Sequence, residues 1–381
     1  MPNKILVLGG SGNIGTVVVD QLVSEGHFVY VADVCAPKNM DERDIAGCYQ
    51  IKFQNIYQNI HEIDELKKEK FDLAVCLLPS FAAKAGIDAC YFAGIPLVVD
   101  ASFAELDDLS SDHQFYYEQQ NMLILRDCGI APGISNLLAA RAYQQIPEDK
   151  RLNSEIHILV GGNALPHVDT PLCGYAAKWS MNDILEEYKR PAQIVCNGQA
   201  VTVPACSGLC DERIFSQDFC FEIDIPKYES FISDGLRTLT TYMKDIGFAT
   251  ERTLRRTGHL EKVLSLEEID LRAQLEKSQS NPDDIYLQVW KRVPGEQVQS
   301  EEFYLKCNDR YSAMAMATGY SCCAFVNLLL SDESILNCYS GVIYPELLAE
   351  MGRSSWYKSI FDYLNQVCPN MFNNRYPFMG E

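Results

Sequence analysis

The run Lys4-Ile5-Leu6-Val7-Leu8-Gly9-Gly10-Ser11-Gly12-Asn13-Ile14-Gly15 constrains the fold more than any other stretch. An apolar strand pattern passes directly into G-x-G-x-x-G spacing at Gly10, Gly12 and Gly15, the signature of a first βα unit that cradles a pyrophosphate. Gly10 is expected to permit the tight turn, Gly12 to let the backbone approach the phosphates, and Gly15 to let the following helix pack on the strand. Ser11, Asn13 and Ile14 complete the loop, where unpaired amides and the positive end of a helix dipole favour an anion. A second strand, Phe28-Val29-Tyr30-Val31-Ala32, delivers Asp33 eighteen residues past Gly15. A carboxylate there accepts from ribose hydroxyls and repels a 2′-phosphate, which points to NAD, although Lys38 keeps NADP open. Leu77-Leu78-Pro79-Ser80, ending a fourth strand, is expected to supply a third cofactor wall through Leu78, Pro79 and Ser80; the alternative is an ordinary proline-initiated helix start.

Around this loop the first 126 residues alternate short apolar runs with longer amphipathic ones, as in a parallel sheet with crossover helices. The strands are expected at 4–8, 28–33, 49–53, 71–78, 96–100 and 122–126, with helices near 13–25, 61–70, 81–93 and 112–121. The fold class is therefore α/β, a Rossmann-type doubly wound parallel sheet, followed by an inserted α+β domain. After Pro132-Gly133, strands at 155–160, 193–196, 219–225 and 285–291 mix with helices at 180–188, 233–245 and 266–277. Asn197-Gly198, between Ile194-Val195-Cys196 and Val201-Thr202-Val203, signals a β-hairpin. The uncharged run at 312–330 reads as a helix buried on nearly every side rather than a membrane span. The domains are expected at 1–126, 127–308 and 309–381, the last being a helix returning to the first domain plus a tail.

Composition removes other classes. Lys and Arg number 32 against 52 Asp and Glu, and a net charge of −20 repels nucleic-acid phosphate and anionic lipid. Fifteen irregularly spaced cysteines suit a reducing, cytoplasmic setting better than a disulfide scaffold. Cys206, Cys210 and Cys220 lack paired C-x-x-C spacing and a nearby histidine, so no metal is expected. The N-terminus runs straight into the first strand, which leaves no room for a signal peptide.

Four ordered segments beyond the loop resemble the saccharopine dehydrogenase family. They are Gly129-Ile130-Ala131-Pro132-Gly133-Ile134-Ser135-Asn136-Leu137; Trp179-Ser180 with Glu187-Tyr188 and Pro191-Ala192; Thr253-Leu254-Arg255-Arg256-Thr257-Gly258-His259; and Ser312-Ala313-Met314-Ala315 with Thr318-Gly319. The likeness leans to the lysine 6-dehydrogenase branch, because Ala131 precedes Pro132-Gly133 and Glu261-Lys262 follow Gly258-His259. It implies a dinucleotide domain, a substrate and dimerisation domain, a late helix packed back on the first, and a homodimer. An aspartate stands at the position of Ala131 in saccharopine-reducing members, which makes saccharopine a poorer substrate guess. Ala176 follows Tyr175 where relatives carry lysine, so a catalytic role does not transfer to Lys178.

The resemblance implies hydride transfer at the amine-bearing carbon of an amino acid or polyamine-like amino acid, with L-lysine the first substrate to test. Such a reaction needs a group that exchanges a proton near neutral pH. His259 is the first candidate, its alternative being a cap for the helix beginning near Leu260. Asp127, at the end of the sixth strand, is the second, its alternative a turn cap. Arg255 suits a substrate α-carboxylate, or else pairs with a neighbouring carboxylate; Cys128 and Trp179 complete the expected substrate-binding set. Asp309 reads as an N-terminal charge on the late helix. Saccharopine or carboxynorspermidine dehydrogenase chemistry and a non-catalytic dinucleotide-binding sensor are the alternatives.

Overall fold

The computed structural model describes residues 2–37, 44–53, 60–104, 117–119, 121–166, 168, 170–212, 227–369, 371–372 and 376–378. It divides into two compact units, one of residues 1–134 and 315–369, the other of 135–314 and 370–381. Lys38, Cys220, the expected strand at 219–225 and most of the expected helix at 112–121 lie outside the described residues.

In the first unit the strands are β1 (Lys4–Leu8), β2 (Phe28–Asp33), β3 (Gly47–Gln50), β4 (Leu73–Cys76), β5 (Leu97–Asp100) and β6 (Leu123–Leu125). Helices α1 (Asn13–Ser24), α2 (Ile60–Glu69) and α3 (Ser80–Ala93) connect them. The order is β6-β5-β4-β1-β2-β3, all parallel, with a seventh strand, Gly341–Ile343, added beside β6. Ile5, Leu6, Val7 and Leu8 are all fully buried, which is why β1 reads as a continuous apolar run: a parallel sheet is covered on both faces. Strand order reverses at β1, between β2 and β4, so the crevice lies at the carboxyl ends of those strands.

β1 and β2 stand where the sequence placed them, whereas the later strands of this sheet are shorter than expected. β3 occupies 47–50 rather than 49–53, and β4 covers 73–76 rather than 71–78, because Phe53 and Phe71 are buried as flanking core residues instead of ladder members. The late helix, Ala313–Ser331, is long and apolar enough to cross a membrane, but 78% of that window is buried in the fold. From Ala315 onward it packs in the first unit, where a Cβ on Gly319 would meet Val17 at 2.9 Å and Cys322 donates to the Cys128 carbonyl.

The second unit is an eight-stranded mixed sheet of β7 (Glu155–Ala164), β8 (Ala192–Cys196), β9 (Gln199–Val203), β10 (Cys210–Glu212), β11 (Tyr228–Ser233), β12 (Phe248–Arg256), β13 (Asp283–Arg292) and β14 (Gln299–Lys306). Its main path is β10-β11-β12-β7-β13-β14, parallel only between β12 and β7. The expected hairpin joins β8 and β9, with Asn197 at φ 52° and Gly198 at φ 72°, the double positive φ of a type I′ turn. A helix does not form over 233–245. β11 ends at Ser233, and only a single turn, Leu239–Tyr242, follows, because Gly235 interrupts the pattern and lies flat against the Glu251 carboxyl, 1.7 Å from where its Cβ would be.

Helices α4 (Ile134–Gln144), α5 (Met181–Glu187), α6 (His259–Leu264) and α7 (Glu268–Ser278) accompany this sheet. Period-2 alternation splits β12, placing Glu251, Thr253 and Arg255 on one face and Arg252, Leu254 and Arg256 on the other. The first face packs against α5, α6 and α7 through Phe231, Ile184, Leu260, Val263 and Leu271. The tail returns to the same unit: the Phe372 ring lies tilted against Phe303, centroids 5.4 Å apart, and the Phe378 amide donates to Glu301 at 3.1 Å. Gln145 donates to the Phe378 carbonyl, and the Lys291 ammonium sits 5.8 Å over its ring.

Candidate functional site

The glycine loop has the geometry of a phosphate cradle. Gly9 takes the left-handed conformation at φ 80°, so the tight turn rests on Gly9 rather than on Gly10. Gly10 is instead a packing glycine, since a Cβ there would lie 2.9 Å from the Val31 side chain. Gly15 plays its expected part: a Cβ would stand 2.2 Å from the Gly9 carbonyl, so helix and strand approach only because it has none. Gly12 leaves open space, with Gly9 O the nearest atom at 3.4 Å, and it caps α1 without any side-chain hydrogen bond. No acidic residue occupies the first turn, so the amides at this twelve-residue helix's start are electrostatically open to an anion.

Asp33 borders this loop. Its Oδ2 accepts from the Ser11 amide at 2.9 Å and its Oδ1 from the Val34 amide at 2.6 Å, while Ser11 Oγ donates to the Cys35 carbonyl at 2.8 Å. The carboxylate is thereby fixed at the end of β2, with lone pairs left for further donors. On the other side of β1, the Leu77 amide donates to Leu8 O and the Leu77 carbonyl lies against Gly9, which brings Leu78 and Pro79 to the same strand edge. Ser80 opens α3 there. Open backbone at Gly12, an uncapped helix and a fixed acid together suit an adenine dinucleotide.

Asp127 lies at the carboxyl end of β6, buried, with φ 56°. Beside it, Asp100 and Arg126 form a buried ion pair at 3.2 Å, supported by the Ser102 amide on Asp100 and by Arg126 donating to the Ala104 carbonyl. Burial pushes the Asp100 carboxyl up, and Arg126 pulls it back. Cys128 turns its thiol toward the Leu125 carbonyl at 3.2 Å, and burial raises its pKa well above the ordinary range, which holds it as a neutral thiol.

The second unit gathers His259, Arg255 and Tyr175 around α5. His259 Nδ1 lies 2.8 Å from the Leu172 carbonyl, which only accepts, so Nδ1 carries the proton; Nε2 then accepts from Tyr188 Oη at 2.8 Å. Burial, with Arg255 nearby, lowers its pKa to about 3, so both nitrogens are engaged and the ring stays neutral. This geometry speaks against proton exchange by His259 near neutral pH. Neither does His259 cap α6. That task falls to Glu229, whose carboxylate accepts from the Gly258 and Leu260 amides, each at 2.8 Å.

Arg255 takes the alternative left open for it. Its Nη2 meets Glu187 at 3.2 Å, its Nη1 donates to the Leu254 carbonyl at 2.9 Å, and its guanidinium stacks 4.5 Å over the Tyr175 ring. Burial opposes the charge, but Glu187 and the two tyrosines raise its pKa. Glu187 also accepts from Thr253 Oγ1 at 2.8 Å. Trp179 is half-buried against the α5–α7 cluster.

Asp309 does not cap the late helix, which begins four residues later at Ala313. Asp283 does, accepting from the Ala313 amide at 2.9 Å and the Met314 amide at 3.1 Å. The described cysteines are free thiols, and among the described residues no three His, Cys, Asp or Glu side chains gather as metal ligands. Cys210 is held instead by Arg252 at 2.9 Å.

Comparison with known proteins accounts for both units. Residues 5–130 match the saccharopine dehydrogenase NADP binding domain, and 129–367 the saccharopine dehydrogenase C-terminal domain. Among solved structures, the apo saccharopine dehydrogenase (L-Glu forming) of Saccharomyces cerevisiae is similar at 14% identity with a TM-score of 0.70, over 96% of this chain and 98% of that one. A mutant meso-dapdh of Clostridium tetani in complex with DAP reaches 12% identity and a TM-score of 0.41, covering 90% and 93%, too low to bear on chemistry. With the cradle in one unit and the mixed sheet in the other, and with both family domains matched in order, the chain belongs to the saccharopine dehydrogenase family of nicotinamide-dinucleotide-binding oxidoreductases.

Proposed function

We propose that the protein is an NAD-dependent dehydrogenase acting on the amine-bearing carbon of a small amino acid, with L-lysine the first substrate to test. The observation that carries the reading is the glycine cradle with its fixed acid: Gly12 open above an uncapped α1, and Asp33 held against Ser11. The amides at the start of α1 hold the diphosphate, and Asp33 accepts from the adenosine ribose. Its charge disfavours an added 2′-phosphate, which supports NAD over NADP. When bound, the nicotinamide supplies the hydride acceptor or donor.

The chain's own residues provide the rest. Asp127 takes the acid/base role, receiving the proton that the substrate amine must lose before its carbon is oxidised. His259 is a positioning residue: neutral and hydrogen-bonded on both nitrogens, it fixes Tyr188 and the Leu172 turn. Arg255 stabilises the same region through Glu187, and Cys128 and Trp179 shape their surroundings by packing. Family membership also supports a second reading, reductive joining of an amine to a keto or aldehyde carbon, as in saccharopine dehydrogenases.

One assay separates the two. Purified protein is followed for NADH formation with L-lysine, and for NADH or NADPH consumption with an amine plus a keto acid. Turnover in the first supports the proposal. Turnover only in the second transfers the reading to the condensation chemistry, and failure of NAD, NADH, NADP and NADPH to bind by calorimetry overturns both.

A further inference from the structure

The sheet face of the second unit opposite α5–α7 carries a polar row that no reading above uses. Asn163 of β7 stands directly across from Asp284 of β13, and Asp284 across from Lys306 of β14, so their side chains share a face. Arg256, at the end of β12, lies on the same face and donates through Nη2 to the Ala164 carbonyl, next to Asn163. Gly174 makes this possible: at φ 79° it lies against the arginine, and a Cβ there would stand 2.3 Å from Arg256 Cδ.

Two buried atoms in this row are unsatisfied. Asn163 is 2% exposed, yet its Oδ1 has no hydrogen-bond partner among the described residues, and neither has Arg256 Nε. Asp284 is buried as well and accepts from Tyr304 Oη at 3.2 Å. An acceptor, a cationic donor and a carboxyl held together with spare hydrogen-bonding capacity are costly without a ligand or water to complete them.

We infer that Arg256, Asn163 and Asp284 recognise the zwitterionic head of an α-amino acid, its carboxylate on Arg256 and its ammonium on Asn163 Oδ1 and Asp284. The planar fork of Arg256 suits a carboxylate, and a compact ammonium suits paired oxygen acceptors. Burial also pushes Asp284 up to about 7, Tyr304, Arg256 and Lys306 lowering it only in part, so an arriving ammonium meets a carboxyl ready to ionise. The inference deepens the amino-acid reading above and rests on it for the substrate class. It moves carboxylate recognition from Arg255, committed to Glu187, to its neighbour on the opposite face.

The test is calorimetric titration of the full chain with L-lysine, L-glutamate and glycine, and with two probes lacking half the head: cadaverine, without the carboxylate, and 6-aminohexanoate, without the α-amine. At least one α-amino acid is expected to bind, with each L-lysine analogue at least tenfold weaker than L-lysine where L-lysine is the ligand. Arg256→Met and Asn163→Ala are each expected to weaken amino-acid binding at least tenfold while NAD affinity is kept; Asp284→Asn serves where a variant does not fold. Unchanged amino-acid affinity in folded variants, or no α-amino acid binding to the wild type, overturns the inference. Amino-acid binding that these variants abolish, in a protein without turnover, sinks the dehydrogenase reading alone. Full turnover on L-lysine at an unchanged KM in Arg256→Met sinks the inference alone.

Discussion

Glu251 gives the most quantitative forecast. It lies on β12 beside Thr253 and Arg255, is 5% exposed, and packs its carboxyl against Gly235. Burial, together with Asp234 and Glu187, raises its pKa from 4.5 to about 8, while Ser233 and Arg237 hold it down only in part. Unfolded, the carboxyl ionises near 4.5; folded, it keeps its proton to about 8. Its contribution to stability is therefore full below pH 4.5 and is lost as pH rises to 8. At 1.36 kcal/mol per pKa unit the loss is about 1 kcal/mol at pH 5, about 3 at pH 7 and about 5 above pH 9. Glu251→Gln keeps the shape against Gly235 and removes the titration. At about 2–4 °C per kcal/mol for a unit of this size, the variant should melt roughly 10–20 °C above wild type at pH 8.5 and about 2–4 °C above it at pH 5. Differential scanning calorimetry across that range reads the difference. A gap that does not widen with pH, or a wild type more stable than the variant at pH 8.5, refutes the buried-acid reasoning.

Three further outcomes follow from the site. Gly15→Ala places a methyl 2.2 Å from the Gly9 carbonyl, and should weaken NAD binding at least tenfold by calorimetry while costing about 1–3 kcal/mol of stability. Asp33→Ser removes the charge facing the ribose, so the ratio of NADP to NAD dissociation constants should fall at least tenfold; an unchanged ratio would show that Asp33 does not select the coenzyme. His259→Gln should lose about 2 kcal/mol of stability, from broken bonds to Tyr188 and Leu172, yet leave the acid limb of kcat/KM against pH unmoved. A shifted limb would return His259 to acid/base chemistry.

What the sequence made legible was local. The strand-glycine-helix run and Asp33 depend on neighbours within one βα unit, and their spacing alone carries the geometry. The Asn197-Gly198 hairpin is legible for the same reason. Three kinds of feature escaped. The strand Gly341–Ile343 is only three residues long, too short for any period, and finds β6 more than two hundred positions earlier. Asp309 read as an N-terminal charge because it sits just before the helix, whereas Asp283 reaches the first amides from another strand. Arg255 and Arg256 are indistinguishable in sequence. Alternation along β12 decides between them, turning Arg255 toward Glu187 and Arg256 toward Asn163 and Asp284, and parity of that kind is fixed only once β7 and β11 set the register.

The placement of Gly341–Ile343 and of the tail bears on how the protein is made. The first sheet cannot close until a strand synthesised after all of the mixed sheet emerges from the ribosome. The mixed sheet is complete in strands by Lys306, but Phe303 and Glu301 of β14 meet Phe372 and the Phe378 amide only when the tail has emerged. Until those segments emerge, nascent intermediates expose the flank of β6 and the Phe303 side of β14 to chaperones or to one another.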